Sequence, residues 1–420
     1  MEELAILGGP KAVQTDPDDI FTWPIITQED EQAALHVLRS GNMSGTDVTK
    51  EFEKEFSDWF GVQHALGHCN GTAALQAAMF AVGLGVGDEM ICQSMTYWAS
   101  ALPAMNLGAT VVFAEMDPET MGLDPADVAR KITDRTKAIM VVHYCGHPTD
   151  MDALMAVAKK HNLKVIEDVS HAQGGLYKGQ LTGTFGDVAA MSLMAQKSLV
   201  AGEGGMLITN NKYMYERAAA YGHYSRTRDL TSPDLTPFSG LPLGGVKNRM
   251  HQISAAVGRV QLKYYPERMA EIQKAMNCFW DLLEGAPGIR GLRPPKDSGS
   301  TNAGWYACRG RYFTEELGGL SVQKFAKAIQ AEGSECTPGG NLLMHLHPVL
   351  NEADTFNHGK PTRIANSNRD LRQPEGSLPV TESLPDRIYK TPWFKHCHTN
   401  IIKEHAEAYR KVVTQAHKLL

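Results

Sequence analysis

Between residues 60 and 210, short apolar runs alternate with segments whose apolar positions recur at helical spacing. The runs Thr110–Phe113, Ala138–Val142, Lys164–Glu167 and Met206–Thr209 are dominated by β-branched and other apolar side chains. A strand with one wet face alternates apolar and polar residues, so these continuous runs predict strands covered on both faces. Between them, residues 152–161 have helical periodicity and are entered through Thr149 and Asp150, whose side chains can cap a helix start. Such alternation predicts a doubly wound, largely parallel α/β sheet, with ligands bound beyond the carboxyl ends of its strands.

The pattern changes after residue 265. A helix containing residues 267–271 leads into the breaks Gly285-Ala286-Pro287-Gly288 and Pro294-Pro295. Mixed strand and helix signals follow, including a helix over 322–332, and predict a second, smaller α/β unit. The expected division is a large domain over 12–265 and a small C-terminal domain over 266–420, with residues 1–11 packing nearby. Residues 351–377, rich in Asn, Pro, Arg and Gly, predict a long loop.

Composition narrows the classes. Hydrophobic content of 43% and charged content of 21% are those of a soluble protein. A net charge of −6, with no Lys/Arg block and no aromatic residues interleaved with basic ones, argues against a nucleic-acid partner. No apolar run is long enough for a membrane span. The start Met1-Glu2-Glu3-Leu4 does not read as a signal peptide, and seven cysteines without a CxxC predict reduced thiols in a cytoplasmic protein. The clusters His345-Leu346-His347 and His396-Cys397-His398 lack a second half at metal-ligand spacing, so no metal is expected.

The chemistry concentrates around Lys197, which precedes Gly202-Glu203-Gly204-Gly205, and around Glu167-Asp168 at the end of a predicted strand. A lysine at the mouth of a sheet can hold an aldehyde cofactor as a Schiff base. An aspartate on a neighbouring strand can keep the cofactor's pyridine nitrogen protonated, so that the ring accepts electrons. Asn70-Gly71-Thr72 opens a helix whose free N–H groups suit a phosphate, an ordinary asparagine cap being the plainer reading. Gly83-Leu84-Gly85-Val86-Gly87 follows a helix rather than a strand, and therefore predicts a turn instead of a dinucleotide fingerprint.

The stretches Ser192–Lys197 and Gly202–Asn210 resemble the cofactor-lysine segment of the DegT/DnrJ/EryC1/StrS aminotransferases, pyridoxal-phosphate enzymes that aminate sugar and cyclitol ketones. The resemblance runs from Trp23-Pro24 to Leu378–Glu382. It implies the type I, aspartate-aminotransferase-like fold, with a mostly parallel seven-stranded sheet in the large domain. It also implies a pyridoxal phosphate held by Lys197, with Asp168 at the ring nitrogen and His171 near the phenolic oxygen. Gly71, Thr72 and Ser192 would bind the phosphate, and Tyr97 would stack on the ring, with Trp98 as the other candidate. His345, Trp98 and Tyr224 are expected on the substrate side.

Lys247 stands where many relatives carry Asn on a segment that reaches the neighbouring subunit's phosphate, which implies a homodimer with shared active sites. His147 likewise replaces a more usual Gln. The implied reaction moves an amino group from glutamate or glutamine to a ketone on a sugar, nucleotide-linked in much of the family, or on a cyclitol. Leu4–Pro10 and Lys247 look like the branch of inosose aminotransferases and aminohydroxybenzoate synthase. A dehydratase of the family would carry His in place of Lys197, other pyridoxal-phosphate chemistry would lack the Thr96 and His345 segments, and a non-catalytic regulator would be expected to lose the lysine or Asp168.

Overall fold

The computed structural model describes residues 2–420. The strands of its large half are β1 (His64–His68), β2 (Glu89–Gln93), β3 (Thr110–Ala114), β4 (Thr136–Val142), β5 (Lys164–Asp168), β8 (Val188–Ser192) and β9 (Gly205–Thr209). A small hairpin, β6 (Leu176–Tyr177) with β7 (Gln180–Leu181), lies outside the sheet they form. The seven strands follow the order β1-β9-β8-β5-β4-β2-β3. Pairs β2–β3, β2–β4, β4–β5 and β5–β8 are parallel, and β9 alone runs against its neighbours. This is the mostly parallel seven-stranded α/β sheet that the sequence implied.

Period-two alternation explains why the predicted runs are apolar throughout. Met90, Cys92, Val111, Phe113, Ala138 and Met140 enter one apolar layer, with Ala74, Ala77 and Ala78 of the helix Gly71–Ala81. Ile91, Val112, Ala114, Ile139 and Val141 enter the opposite layer, with Leu154 and Ala158 of the helix Met151–His161. Both faces are therefore dry. The helix starts are capped as expected: Asp150 accepts from Ala153 N–H at 3.2 Å and Asn70 from Ala73 N–H at 2.9 Å.

Beyond the central sheet, β10 (Ile289–Gly291), β11 (Arg309–Tyr312), β13 (Ile388–Lys390) and β12 (Thr337–Pro338) form a four-stranded antiparallel sheet in that order. It is covered by the helices Val322–Ala331 and Thr399–Thr414. A 31-residue helix, Gln252–Leu282, runs through the expected division at 265/266 with Pro266 inside it. Its first half contributes Ala255, Leu262 and Tyr265 to a core with β8 and β9, and its second half contributes Ile272, Met276 and Phe279 to the core of the small sheet. Leu4 and Ile20 belong to that second core. Buried Glu332 ties the N-terminal segment there, accepting from Ala5 N–H at 2.7 Å, Ala12 N–H at 3.0 Å and Lys411 Nζ at 2.9 Å.

Residues 351–377, the first of which closes the short helix Pro348–Asn351, are otherwise irregular apart from a short turn at Thr362–Ile364, and they run along the edge strand β3. There the Gln373 amide meets both polar groups of Phe113, accepting from its N–H at 2.9 Å and donating to its carbonyl at 2.8 Å. Arg363 Nε donates to Val111 O at 2.9 Å. Among the described residues, no helix is long and apolar enough to cross a membrane.

Candidate active site

A cleft of about 690 Å³ opens at the carboxyl ends of β5 and β8, against the start of the helix Gly71–Ala81. Asn70, Gly71, Thr72, Tyr97, Trp98, Asp168, His171, Ser192 and Lys197, all singled out by the sequence, line it together. A groove of similar volume, about 720 Å³, lies between the helices Gln28–Ser40, Asp47–Phe60 and Gln252–Leu282, and none of those residues lines it.

Lys197 is only 8% exposed. The loop that carries it is closed by its own backbone: Lys197 N–H donates to Met194 O, Ala195 N–H to Gly202 O and Ala201 N–H to Leu193 O. Trp23 fixes it from outside, donating from Nε1 to Lys197 O at 2.8 Å. The Nζ sits 3.9 Å from the centroid of the Tyr306 ring. Burial disfavours the ammonium and lowers its pKa to about 8, although the Asp168 charge pulls the other way.

Asp168 and Glu167 end the same strand and point to opposite sides of it. Asp168 faces the cleft, where Oδ2 accepts from Ser100 Oγ at 2.7 Å and Oδ1 from Ser170 N–H at 3.0 Å. Glu167 faces away and is fully buried. It accepts from the N–H groups of Gly183, Phe185 and Gly186 at 2.7–2.8 Å and from His143 Nε2 at 3.0 Å, which staples the 183–186 turn to the sheet.

His171 Nδ1 accepts from Cys145 N–H at 3.2 Å, so the ring proton sits on Nε2. Burial, with the charges of Lys197 and Arg309, holds its pKa well below the ordinary histidine value, and the ring is neutral. Its ring lies 4.8 Å from that of Tyr306.

At the far wall, the first N–H groups of the helix Gly71–Ala81 have no acceptor within the helix. A Cβ at Gly71 would fall 2.6 Å from the Ser192 Cβ, so only glycine lets this helix start close on Ser192. Asn248 lines the same cleft with its Nδ2 buried and unpartnered. A helix N-terminus, two hydroxyls, an unspent amide, a carboxylate and a desolvated lysine in one cleft fit a flat, phosphorylated aldehyde cofactor.

Four residues singled out by the sequence, Lys247, Tyr224, His345 and His147, do not line the cleft of their own chain. Lys247 is exposed, and its Nζ lies 5.8 Å from the Tyr224 ring, itself 40% exposed. His345 is fully buried, with Nδ1 2.6 Å from Ser94 Oγ and Nε2 2.9 Å from Glu382. His147 turns its Nδ1 to Pro148 O at 2.9 Å. His398 meets Asp18 and Asp19 at the surface, their ligand atoms within 4.8 Å of one another, a juxtaposition that sequence spacing did not reveal.

Tyr306, Arg309, Asn341, Ser100 and Asn248 line the cleft without having been foreseen. Tyr306, Arg309 and Asn341 come from the small-sheet half, more than one hundred residues after Lys197, and no local spacing links them to it. Ser100 sits four residues after Thr96, and its pairing with Asp168 appears only in three dimensions.

Comparison with known proteins gives one answer. The L-glutamine:2-deoxy-scyllo-inosose aminotransferase of Micromonospora echinospora is 33% identical over 401 residues, 92% of either chain. GDP-perosamine synthase of Caulobacter vibrioides is 41% identical over 303 residues, covering 71% of this chain and 77% of that protein. An aminotransferase from Psychrobacter cryohalolentis superposes with a TM-score of 0.81 at 30% identity, covering 94% of this chain and 99% of the other. The family profile matches residues 24–404, and the chain belongs to the DegT/DnrJ/EryC1/StrS aminotransferase family.

Proposed function

We propose that this chain is a pyridoxal-phosphate-dependent aminotransferase that moves an amino group from glutamate or glutamine to a ketone on a sugar or cyclitol ring. The observation that carries the reading is Lys197: a buried amine, lowered to about 8, in one cleft with Asp168 and a glycine-opened helix N-terminus. Bound there, pyridoxal phosphate supplies the electron sink that lets the amine-bearing carbon lose a proton.

This chain's own residues do the rest. Lys197 Nζ would hold the aldehyde cofactor and, as a free amine, would take and return the proton, its lowered pKa leaving a useful fraction of free amine near neutral pH. Asp168, held through Ser100 and Ser170, would pair with the ring nitrogen. His171 would offer Nε2–H to the phenolic oxygen, Tyr97 would cover the ring, and Gly71, Thr72 and Ser192 would take the phosphate. Lys247, exposed beside Tyr224 and off its own cleft, serves the partner's phosphate in a homodimer. His345, Trp98 and Tyr224 are assigned to the substrate side, Trp98 being the one that lines this cleft. The cellular setting is the cytoplasm, in keeping with seven free cysteines.

The relatives' names span both ring classes, a GDP-linked sugar and a scyllo-inosose, and the latter names L-glutamine as donor. The purified protein should show an absorbance band near the visible edge that borohydride fixes onto Lys197. A panel of keto-sugar nucleotides and inososes, offered with glutamate and with glutamine, should give turnover with one ring class. Absence of the band, or a reduced adduct on another lysine, refutes the reading.

A further inference from the structure

The segment that carries Tyr306 is held in an unfavourable backbone. Ala303, Trp305 and Ala307 have φ of 53°, 56° and 55°, in the left-handed region that normally falls to glycine. Three such residues within five persist only where the surroundings impose them, and strain of this kind gathers at functional sites. Here Trp305 is buried in the core of the small sheet, its N–H donates to Asn302 O at 3.1 Å, and Gly304 O accepts from Trp393 Nε1 at 2.9 Å. Tyr306 is the residue between Trp305 and Ala307, and the strained turn sets it on the cleft wall.

The Tyr306 ring stands 3.9 Å from Lys197 Nζ, which among the described residues has no hydrogen bond and no ion pair. Both partners are braced by one pair of indoles. The Trp393 ring meets Tyr306 edge-on at 5.9 Å and lies 5.8 Å from Trp23, whose Nε1 holds the Lys197 carbonyl. Other groups reach the amine only through space: Asp168 and Cys145 pull towards the ammonium, the His171 ring is neutral, Arg309 acts on His171, and Glu203 lines the cleft from the lysine's own loop. We propose that Tyr306 is a positioning residue for Lys197: its ring face holds the lysine amine whenever that amine is not bonded to the cofactor. The inference rests on the aminotransferase reading above and specifies how that site keeps its proton carrier in place. A free amine on a long flexible stem samples several rotamers, whereas proton transfer needs it within reach of one carbon. The negative face of the ring favours the ammonium over the neutral amine and so offsets part of the desolvation. The platform therefore aims the lysine and keeps its proton affinity from falling further.

The variants are Tyr306→Phe, which keeps the ring face, and Tyr306→Leu, which removes it; the Tyr306 hydroxyl has no hydrogen-bond partner among the described residues, so its loss in Tyr306→Phe strands nothing. Cofactor-free protein is trace-labelled with acetic anhydride across a pH series, and acetylation of Lys197 is read by mass spectrometry of its peptide. The wild-type midpoint is expected near about 8 and should hold in Tyr306→Phe. In Tyr306→Leu it should fall by about half to one unit. Phenylalanine analogues with increasing numbers of ring fluorines, incorporated at Tyr306, drain the ring face without changing its shape, and should lower the midpoint stepwise over the same range. With the cofactor-loaded enzymes, a single turnover of α-deuterated glutamate reads the proton step. Tyr306→Leu should slow it about 10- to 100-fold, with little change in the half-saturating donor concentration, and Tyr306→Phe should stay near wild type.

A Lys197 midpoint that stays fixed along the fluorine series overturns the assignment. So does a Tyr306→Leu enzyme whose proton step keeps its wild-type rate, or one whose only defect is weaker donor binding, which would give Tyr306 to the substrate instead. If Tyr306→Leu does not fold, the fluorine series decides alone. A wild type that loads the cofactor but is converted by no amino donor refutes the aminotransferase reading itself, a result distinct from the ring dependence measured on the cofactor-free protein.

Discussion

Replacing Lys197 with Met should stabilise the cofactor-free protein. The lysine amine is lowered from the ordinary 10.5 to about 8, mainly because burial strips water from its charge. At about 1.4 kcal/mol for each tenfold change in proton affinity, the buried ammonium costs about 3 kcal/mol of folding stability at neutral pH. Methionine has similar volume and no charge to desolvate. Against this, the contact between the ammonium and the Tyr306 ring at 3.9 Å is lost, about 1 kcal/mol. The net expectation is a gain of about 2 kcal/mol. Spread over 420 residues, with an unfolding entropy of about 2 cal/mol/K each, that is a rise of about 2–3 °C in Tm.

The pH dependence distinguishes this cause from any other. The folded state binds its proton less tightly than the unfolded chain, so between pH 8 and 10.5 the unfolded state holds more protons and wild-type stability rises relative to the variant. The advantage of Lys197→Met should be complete at pH 7, shrink above pH 8 and vanish near pH 10.5. Parallel unfolding curves of the two cofactor-free proteins across that range measure it. A variant less stable at pH 7, or an advantage unchanged up to pH 10.5, would refute the claim that desolvation governs this lysine.

Asp168→Asn keeps the two hydrogen-bonded positions but removes the charge. Turnover should drop by about two decades, and the Lys197 ionisation, followed by amine modification, should move below about 8, because Asp168 raises it; an upward move contradicts the geometry. Glu167→Gln should cost about 3–6 kcal/mol in denaturant unfolding, since whichever oxygen becomes NH₂ strands two buried donors. His143 cannot compensate, its Nδ1 already accepting from Thr149 N–H at 3.2 Å, and a loss below about 1 kcal/mol would show that the turn rearranges freely. Mixed Lys197→Ala and Lys247→Ala subunits should recover about a quarter of wild-type activity through heterodimers with one intact site; only the sum of the parents' activities, after verified subunit exchange, would confine Lys247 to its own chain.

The four apolar runs became β3, β4, β5 and β9 because strands dry on both faces leave a continuous signal. Edge strand β1, His64-Ala65-Leu66-Gly67-His68, carries two histidines and a glycine, and no apolar run marks it. β2, as long as β3 and β5, begins with Glu89 and ends with Gln93 and so leaves only a three-residue apolar run, and only the strands on either side of it fix its place. The helix Gln252–Leu282 was visible only in part, since Pro266 interrupts its pattern at the point where the buried face changes core.

At the cleft, Lys197, Asp168 and Gly71 were legible because each sits at a strand or helix end whose local pattern is strong. Tyr306 and Arg309 were not, since what makes them part of the site is the docking of the small sheet on the large one. His345 stood out in the sequence by its segment, but its pairing with Ser94 and Glu382, from distant parts of the chain, appears only in three dimensions.

The 351–377 segment has a consequence for how this molecule behaves in a crowded solution. β3 is the outer strand of the large sheet, and an outer strand offers unpaired N–H and C=O groups on which another chain can add a strand. Here Gln373 behaves as a single severed residue of such a strand, giving Phe113 one donor and one acceptor from a side chain, while Arg363 covers Val111 O. The ladder ends after one rung because no backbone continues it. The loop thus acts as a stopper against sheet-to-sheet growth, and its length follows from needing to lay side chains, rather than a strand, along an open edge.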